Sequence, residues 1–395
     1  MSEWRECKLG DFAEIQTGPF GSQLHAADYV DVGIPSIMPT NIGSRLEVRT
    51  DSIACIKGSD AKRLEKYLVK ENDIVYSRRG DVEKCAFITS SQSGWLCGTG
   101  CLRVRFISTE LFPKFCAYYL STEDTKGWVS GNAVGTTMPN LNSSILKKVP
   151  LTLPPLEEQK AIAAVLSSLD DKIDLLHRQN QTLEAIAATL FRQWFVEEAQ
   201  EDWEEVAVGD FVELNRASID KSYPHKTIEY LDTGSLTEGK IESLLSLILG
   251  EAPSRAKRLV QHNDVLISTV RPDQKHNGII KNPIDNLVVS TGFCVLTCSK
   301  IDPHFIYLLL TNDEMTDYLH TIAEGSTSTY PSLKPSDIGA IVFQLPPDVR
   351  LREFAVIAHH SWEKIEKNYI QIRTLEKLRD TLLPKLMSGE VRVAA

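Results

Sequence analysis

Arginine, lysine and amide side chains recur in polar loops at corresponding places in the two halves of the chain. An arginine can bond both acceptors on the edge of a guanine, and asparagine or glutamine does the same for adenine. Any one of these residues could equally be a solvated turn residue, but together they predict contacts to DNA bases or phosphates. The predicted DNA-binding residues are Ser22, Gln23, Arg78, Arg79, Lys84, Arg103, Thr136, Thr137, Asn140, Arg255, Lys257, Arg258, Arg271, Lys275, Thr327 and Tyr330.

Signatures of catalysis are scarce in the sequence. A Gly-rich dinucleotide turn and a phosphate-binding loop ending in Gly-Lys-Ser/Thr are both absent. Asn282-Pro283-Ile284-Asp285 does not match the Asn/Asp-Pro-Pro-aromatic signature of amino-methyltransferases. We therefore predict no catalytic residue and no cofactor bound by this chain.

The cysteines favour reduced thiols over disulfides or metal ligands. There are eight, and they do not recur at matching positions of the two halves. The pairs Cys97/Cys101 and Cys294/Cys298 have no histidine or cysteine partner at zinc-site spacing. We predict no metal site.

The net charge of −10 argues against a protein that binds nucleic acid tightly on its own, because phosphate neutralisation by basic side chains supplies much of that affinity. The chain either does not bind DNA or shares the phosphate contacts with partner subunits. Neither a membrane-spanning apolar run nor the apolar core of a signal peptide is present. We expect a cytoplasmic protein without a membrane contact.

Several motifs occur twice, about half the chain length apart. Gly10–Asp11–Phe12 returns as Gly209–Asp210–Phe211, and Leu153–Pro154–Pro155 returns as Leu345–Pro346–Pro347. Asn72-Asp-Ile returns as Asn263-Asp-Val. The chain therefore consists of two copies of one plan, and loops that differ between the copies are expected to carry specificity.

Each copy ends in a heptad pattern that predicts a long helix. A helix over 156–196 is predicted in the first copy, and Pro384 is expected to end the second. Buried Asn180 and Asn368 would fix the register if the helices pack antiparallel, whereas in the alternative each helix packs only against its own module. The two predicted seams are Ile162, Leu166, Leu169, Ile173, Leu176, Asn180, Leu183, Ala187, Leu190 and Trp194, and Phe354, Ala358, Ser361, Ile365, Asn368, Ile372, Leu375, Arg379 and Leu382.

The motifs also carry a resemblance to a known family. The segment from Leu153 to Asp174 begins Leu-Pro-Pro-Leu-Glu-Glu-Gln and runs into the first heptad helix. With Gly18–Ser22, Asn72–Ile74, Ser77–Gly80 and the tail ending at Gly389, the chain resembles the specificity (S) subunit of type I restriction-modification systems. The second copy lacks the Glu-Glu-Gln, so subunit contacts there are expected to differ.

This resemblance implies an α+β fold with two similar mixed α/β target recognition domains. They would be separated by two long antiparallel coiled-coil helices, with a pseudo-two-fold internal repeat. The implied boundaries are 1–152 for the first domain, 153–199 for the first helix, 200–344 for the second domain, and 345–395 for the second helix and tail.

The resemblance also implies a function. Each domain would read one half of a bipartite, asymmetric double-stranded DNA target, and the helices would set the unread spacer. The chain would dock two modification subunits, which methylate adenine with S-adenosylmethionine, and in a restriction complex also two restriction subunits that use ATP and Mg²⁺. The residues expected to contact partner subunits are Glu157, Glu158 and Gln159.

Two other classes of protein compete with this interpretation. A non-catalytic coiled-coil scaffold would explain the helices and the negative charge, but not two divergent modules with arginine-bearing loops. A free-standing endonuclease or methyltransferase would need activity from the purified chain alone. A neighbouring gene with an adenine-methyltransferase signature would favour the DNA-reading function.

Overall fold

The computed structural model describes residues 4–135, 139–326 and 330–393 of the chain. The chain divides into two compact units: unit 1 combines Met1–Asp174 with Ile372–Ala395, and unit 2 is Leu175–Gln371. Each unit contains a globular module and one end of each of two long helices. We call the globular parts module 1 (residues 4–153) and module 2 (residues 203–345).

The described residues of module 1 form three small sheets. The strands are β1 (Arg5–Lys8), β2 (Ala13–Thr17), β3 (Tyr29–Val30), β4 (Ile34–Ile37), β5 (Cys55–Ile56), β6 (Ile74–Ser77), β7 (Cys85–Phe87), β8 (Leu96–Cys97), β9 (Cys101–Phe106) and β10 (Pro150–Leu153). The largest antiparallel sheet has the order β2-β9-β6-β7, and a second sheet has the order β3-β5-β4-β8. Strand β1 pairs with β10 and thereby joins the two ends of the module.

Helices pack against the sheets of module 1. They are α1 (Gly58–Arg63), α2 (Pro113–Leu120), α3 (Glu123–Asn132), α4 (Ser143–Leu146) and the long helix α5 (Leu156–Arg192). Tyr76, Leu102 and Phe115 lie fully buried in one core with Ile162 and Leu166 of α5. The first turns of the long helix are therefore part of the core of module 1.

Module 2 repeats this plan. Its strands are β11 (Glu204–Ala207), β12 (Val212–Leu214), β13 (Thr227–Leu231), β14 (Leu236–Thr237), β15 (Lys240–Ile241), β16 (Leu245–Ile248), β17 (Ala256–Leu259), β18 (Val265–Ser268), β19 (Asn277–Ile279), β20 (Leu287–Ser290), β21 (Phe293–Cys298) and β22 (Val342–Leu345). The order β12-β21-β18-β19 matches the main sheet of module 1, and β11 pairs with β22 as β1 does with β10. The short helices of module 2 are α6 (Pro303–Thr311), α7 (Asp313–Glu324) and α8 (Pro335–Gly339), and the long helix α9 (Asp348–Ser388) begins in unit 2 and ends in unit 1.

The repeated Asn-Asp-Ile/Val motif forms the same turn in both modules. Asn72 and Asn263 have left-handed φ values of 69° and 72°, a region that asparagine tolerates better than most residues. The buried Asp73 and Asp264 each accept a hydrogen bond, at 2.8 Å, from the backbone N–H three residues earlier. The motif therefore starts strands β6 and β18 and has a structural role.

In unit 1 the start of α5 pairs with the end of α9. Arg379, which occupies a predicted seam position, donates to Asp170 of α5 at 3.0 Å. The prediction that Pro384 ends the helix is wrong, because α9 continues to Ser388. Beyond the proline, Leu386 and Met387 are buried in the core of module 1, and this burial favours keeping the last turn helical.

In unit 2 the end of α5 pairs with the start of α9, so the antiparallel pairing of the two helices within each unit is confirmed. The amide nitrogen of Asn368 donates to Oδ1 of Asn180 at 2.8 Å, and both side chains are buried. Helix α5 is α-helical up to Arg192, and a π-helical turn, Gln193–Glu197, follows directly. The fold class is confirmed in its α+β content, its repeated modules and its long helices.

The asparagine pair leads to a stability prediction. Replacing Asn368 with leucine removes the hydrogen bond to the buried Oδ1 of Asn180, so the free energy of unfolding should fall by roughly 1–3 kcal/mol. The double variant Asn180→Leu/Asn368→Leu should recover most of this loss, because it removes both polar groups from the seam. Urea unfolding of the single and double variants tests this, and additive losses in the double variant would contradict it.

Glu184 of α5 gives unit 2 a pH-dependent stability. Burial, with a smaller contribution from Glu238, raises the pKa of Glu184 to about 7. Because the pKa is higher in the folded state than in the unfolded state, the stabilisation present below about pH 4.5 is lost as pH rises through about 7. We expect Glu184→Gln to raise the free energy of unfolding by on the order of 1–2 kcal/mol at pH 8, with little effect at pH 5.

The control for this prediction is Glu363→Gln in the same unit. A hydrogen bond and ion pair with Lys367 lower the pKa of Glu363, so its loss should not stabilise the protein at pH 8. Thermal unfolding at pH 5 and pH 8 measures both variants. An equal effect of Glu184→Gln at the two pH values would contradict the prediction.

The eight cysteines are all free. Burial raises the pKa of the Cys97, Cys294 and Cys298 thiols to about 12. A thiol that stays protonated is a poor nucleophile and a poor metal ligand. Among the described residues, no three histidine, cysteine or acidic side chains cluster in a way that could hold a metal ion.

Within residues 4–135, 139–326 and 330–393, none of the helices combines the length and the apolar character that crossing a membrane requires.

Candidate nucleic-acid interface

A rigid turn follows strand β6 in module 1. The buried Ser77 donates its hydroxyl to the carbonyl of Arg79 at 3.1 Å. The backbone N–H of Arg78 donates to Gly100, and its carbonyl accepts from Leu141, both at 2.8 Å. A backbone bridge between Arg79 and Asn140 adds a further tie. We call residues 77–80 the strand-end turn of module 1.

The same network forms the strand-end turn of module 2, residues 268–271. Ser268 donates to the carbonyl two residues later at 2.8 Å. The backbone N–H of Thr269 donates to the carbonyl of Gly292, and its carbonyl accepts from the N–H of Leu333, both at 2.8 Å. A bridge joins Val270 to Ser332. Each bond has its counterpart in module 1, so the two turns have the same backbone framework and can be compared position by position.

The side chains on this framework differ between the modules. Arg78 and Arg79 of module 1 correspond to Thr269 and Val270, and Gly80 corresponds to Arg271. Gly80 and Arg271 both have left-handed backbone conformations, with φ values of 74° and 49°. A shared backbone with exchanged polar side chains is the arrangement expected of two modules that recognise different ligands.

In module 1 the structure brings together three of the predicted residues, Arg78, Arg79 and Asn140. The guanidinium of Arg78 lies 5.5 Å from the ring centre of Phe20, and its Nε donates to Oδ1 of Asn140 at 3.3 Å. Arg79 is exposed. Partial burial, with the neighbouring Arg79 charge, lowers the pKa of Arg78. Two adjacent guanidinium groups at a surface turn favour an anionic ligand.

In module 2 the structure brings together Arg271 and Tyr330. The guanidinium of Arg271 lies 4.8 Å from the ring centre of Tyr330. The side chains of Phe20 and Tyr330 are 54% and 55% exposed. Each module therefore presents, at its surface, an arginine in cation–π contact with an aromatic ring, and we call it the stacked arginine of that module.

Phe20 was not among the residues predicted from the sequence to bind DNA. It lies in the Gly18-Pro-Phe-Gly-Ser22 loop. An aromatic side chain among glycine, proline and serine is the feature of the sequence that could have drawn attention to this residue.

The other predicted residues of module 1 lie in varied surroundings. Ser22 is exposed, whereas Gln23 accepts a hydrogen bond from the hydroxyl of Tyr67 at 2.7 Å. Lys84 is exposed and pairs with Asp81 at 3.0 Å. Thr136 and Thr137 lie outside the described residues. Gln23 and Lys84 would therefore have to exchange internal partners to contact DNA.

Arg103 was predicted to bind DNA, and the structure contradicts this. Its side chain is only 4% exposed, and it donates to the backbone carbonyls of Lys66 and Leu68 at 2.6 and 3.2 Å. Burial lowers its pKa. Because Arg103 and Arg105 lie two residues apart on β9, both face the same side, where Arg105 pairs with Asp73. The pair holds the 66–68 segment and the Asp73 turn.

In module 2, Arg255 and Lys257 are exposed, as a DNA contact requires. Arg258 is half-buried and donates to the hydroxyl of Ser218 at 3.3 Å. Lys275 was predicted to bind DNA, but it pairs with Asp313 at 2.8 Å and with Glu238 at 3.7 Å.

The bond to Asp313 raises the pKa of Lys275, so its charge is already compensated within the module. Thr327 lies outside the described residues.

The Glu-Glu-Gln motif at the start of α5 was predicted to contact partner subunits. Only Glu157 is exposed, beside Lys160 at 2.8 Å. Gln159 is 1% exposed, accepts from the backbone N–H of Phe112 at 2.8 Å, and donates to two backbone carbonyls at 2.9 Å.

Glu158 is also buried and accepts two bonds from Arg392. The prediction is therefore wrong for Glu158 and Gln159. These two residues fasten the helix start to module 1 and to the C-terminal tail.

The equivalent ion pair in unit 2 has the opposite polarity. Arg350 occupies the position of Glu158, and it pairs with Glu198, which follows α5, at 3.6 Å. The guanidinium of Arg350 lies over the ring of Trp194, just as that of Arg392 lies over Trp4. We call the Glu158–Arg392 and Arg350–Glu198 pairs the helix-end clasps of units 1 and 2.

Two repeated modules with divergent polar turns, together with paired long helices, define a class of two-module recognition protein. The comparison with protein families identifies this class. The chain belongs to the family described as type I restriction modification DNA specificity domain, whose model matches residues 1–185 and 200–351.

Individual relatives agree with this assignment. The chain is 29% identical over 311 residues to the type I restriction enzyme MjaIX specificity subunit of Methanocaldococcus jannaschii, covering 71% of this chain and 69% of that protein. It is 23% identical to the HindI specificity subunit of Haemophilus influenzae, covering 99% and 100%. The S subunit of a type I system from M. genitalium shares the fold, with a TM-score of 0.61 at 17% identity over 97% and 96% of the two chains.

Proposed function

We propose that the chain is the DNA specificity subunit of a type I restriction-modification complex. Each module reads one half of a bipartite, asymmetric target, and the length of the paired helices sets the unread spacer. The observation that carries this proposal is the strand-end turn, because the same hydrogen-bonded framework presents arginines in both modules at non-equivalent positions. Different side chains on one backbone suit the reading of two different half-sites.

The charge of the chain fits a division of labour with partner subunits. Several basic side chains of the modules are already paired internally, as Arg103, Arg105 and Lys275 are. The remaining exposed arginines can supply sequence readout, while partner subunits supply most phosphate contacts. We propose that the partners are two modification subunits carrying S-adenosylmethionine and, in a restriction complex, two restriction subunits using ATP and Mg²⁺.

In this proposal the chain contributes recognition and no chemistry of its own. It acts in the cytoplasm, where reduced thiols persist. Of the predicted partner contacts, Glu157 stays available, because it is exposed at the start of α5.

Methylome sequencing tests the proposal. A host strain with this gene and its modification partner should carry an adenine-methylated motif made of two specific parts separated by a fixed spacer. The motif should vanish when the gene for this chain is deleted. Exchanging module 2 for that of a relative should change only one part of the motif.

A scaffold without DNA readout predicts that the methylation pattern is the same with and without this chain. An unchanged motif after the module exchange would instead contradict the assignment of one half-site to each module.

A further inference from the structure

We propose that each module reads a guanine through its stacked arginine: Arg78 on Phe20 in module 1, and Arg271 on Tyr330 in module 2. This inference rests on the proposed function and names the base that each strand-end turn selects. It also assigns different roles to neighbouring arginines that the sequence alone does not distinguish.

Stacking prepares an arginine to read a base. A guanidinium that lies on an aromatic ring keeps its plane fixed, while the N–H groups along its edge remain directed outward. Guanine presents O6 and N7 as two adjacent acceptors, which a fixed guanidinium can bond together. Because the orientation is set before binding, less side-chain freedom is lost when the base arrives.

In module 1 a second contact restrains the arginine. Asn140 accepts from Nε of Arg78 at 3.3 Å, and this bond uses none of the terminal nitrogens. The ring of Phe20 beneath it is more than half exposed. Phe20 is not one of the buried core residues of the module, and the guanidinium of Arg78 lies above its ring.

In module 2 the backbone provides an independent indication. Arg271 has a φ of 49°, in the left-handed region that side chains other than glycine, asparagine and aspartate rarely occupy. The equivalent residue of module 1 is Gly80, which adopts this conformation without cost. A strained arginine where glycine suffices indicates that the side chain itself is needed, and such strain concentrates at functional sites.

When the two strand-end turns are compared position by position, the stacked arginines lie two residues apart. Arg78 corresponds to Thr269, and Arg271 corresponds to Gly80. Their aromatic partners also come from different loops. The two guanines are therefore expected at different places within their half-sites, and this difference separates the specificities of the modules.

Arg79 serves as an internal comparison. It is exposed beside Arg78, and in the described part of the chain its guanidinium stacks on no aromatic ring. Without that restraint, Arg79 is expected to contact a phosphate. Its replacement should weaken binding to all DNA sequences alike.

The test uses the full chain assembled with its modification subunits and DNA duplexes carrying the motif found by methylome sequencing. Each guanine of the motif is replaced in turn by 7-deazaguanine, which lacks the N7 acceptor. The wild-type complex should lose affinity on the order of 10- to 100-fold at one guanine in each half-site. This measurement does not depend on the folding of any variant.

Variants then assign each guanine to its arginine. Arg78→Gln should abolish the 7-deazaguanine effect in one half-site only, and Arg271→Gln should abolish it in the other. Arg78→Lys keeps the charge but not the flat guanidinium, so it should behave like Arg78→Gln. Arg79→Gln should retain both effects while lowering affinity for every duplex.

The outcomes separate this inference from the proposed function. A half-site without a guanine, or an Arg78→Gln complex that still responds to 7-deazaguanine in both half-sites, would overturn the guanine assignment and leave the proposed function standing. The absence of any two-part methylated motif would overturn the proposed function as well.

Discussion

Replacing Arg105 with methionine should lower the free energy of unfolding of unit 1 by about 3–5 kcal/mol. Arg105 donates to the carboxylate of Asp73 at 2.9 and 2.5 Å, and Asp73 is almost completely buried. The variant leaves this carboxylate in the core without its counter-charge, and that costs more than the ion pair itself contributes. Urea unfolding of the variant at pH 7 measures the loss.

Module 2 offers a matched control, because Thr297 occupies the position of Arg105. Its hydroxyl donates to Asp264 at 2.7 Å, and burial raises the pKa of this aspartate. Thr297→Val removes one neutral hydrogen bond and should cost only about 1–2 kcal/mol. Equal losses for the two variants would show that the guanidinium charge does not matter for the buried Asp73.

Replacing Phe354 with alanine should destabilise unit 2 by about 3–5 kcal/mol. Phe354 is fully buried at the start of α9, and its ring centre lies 5.2 Å from that of Phe195 and 6.1 Å from that of Phe191. Its truncation leaves a cavity among aromatic rings that anchor both long helices to the core of module 2. Thermal unfolding followed by near-ultraviolet circular dichroism reports on this cluster directly.

Val356→Ala is the control for Phe354→Ala. Val356 lies two residues further along the same helix and is 58% exposed, so its truncation should change the free energy of unfolding by less than about 0.5 kcal/mol. A comparable loss in this control would mean that helix formation, rather than the aromatic cluster, limits the stability of unit 2.

The sequence was most informative where a periodic pattern reports burial. The heptad seams included Asn180, Asn368 and Arg379, and in the structure Asn368 bonds Asn180 and Arg379 bonds Asp170 across the paired helices. Internal repeats likewise predicted two modules of one plan. These features depend on spacing along the chain, which the sequence contains in full.

The sequence was less informative about which polar residues face solvent. Two arginines show this. Arg103 lies in strand β9 and is buried against backbone carbonyls, whereas Arg79 follows strand β6 and is exposed. Arg103 is buried because its face of β9 meets the 66–68 segment, and that contact is formed by residues distant in sequence. The residues next to Arg103 in the sequence do not indicate this contact.

The Glu-Glu-Gln motif shows the same limit of local reasoning. Two adjacent acids at a helix start are favoured by the helix dipole and are usually exposed. Here the second acid and the glutamine are buried, because Arg392 and the Phe112 loop supply partners from elsewhere in the chain. A motif that identifies a family can therefore owe its sequence to the folding of the chain rather than to a partner.

In both helix-end clasps the acid comes from the first half of the chain and the base from the second. Glu158 and Glu198 lie near the two ends of α5, whereas Arg350 and Arg392 lie near the two ends of α9. Neither half alone can therefore form a clasp of opposite charges from these residues. The clasps make the fastening of each unit depend on both halves of the chain, so separately expressed halves are expected to associate with one another in preference to their own kind.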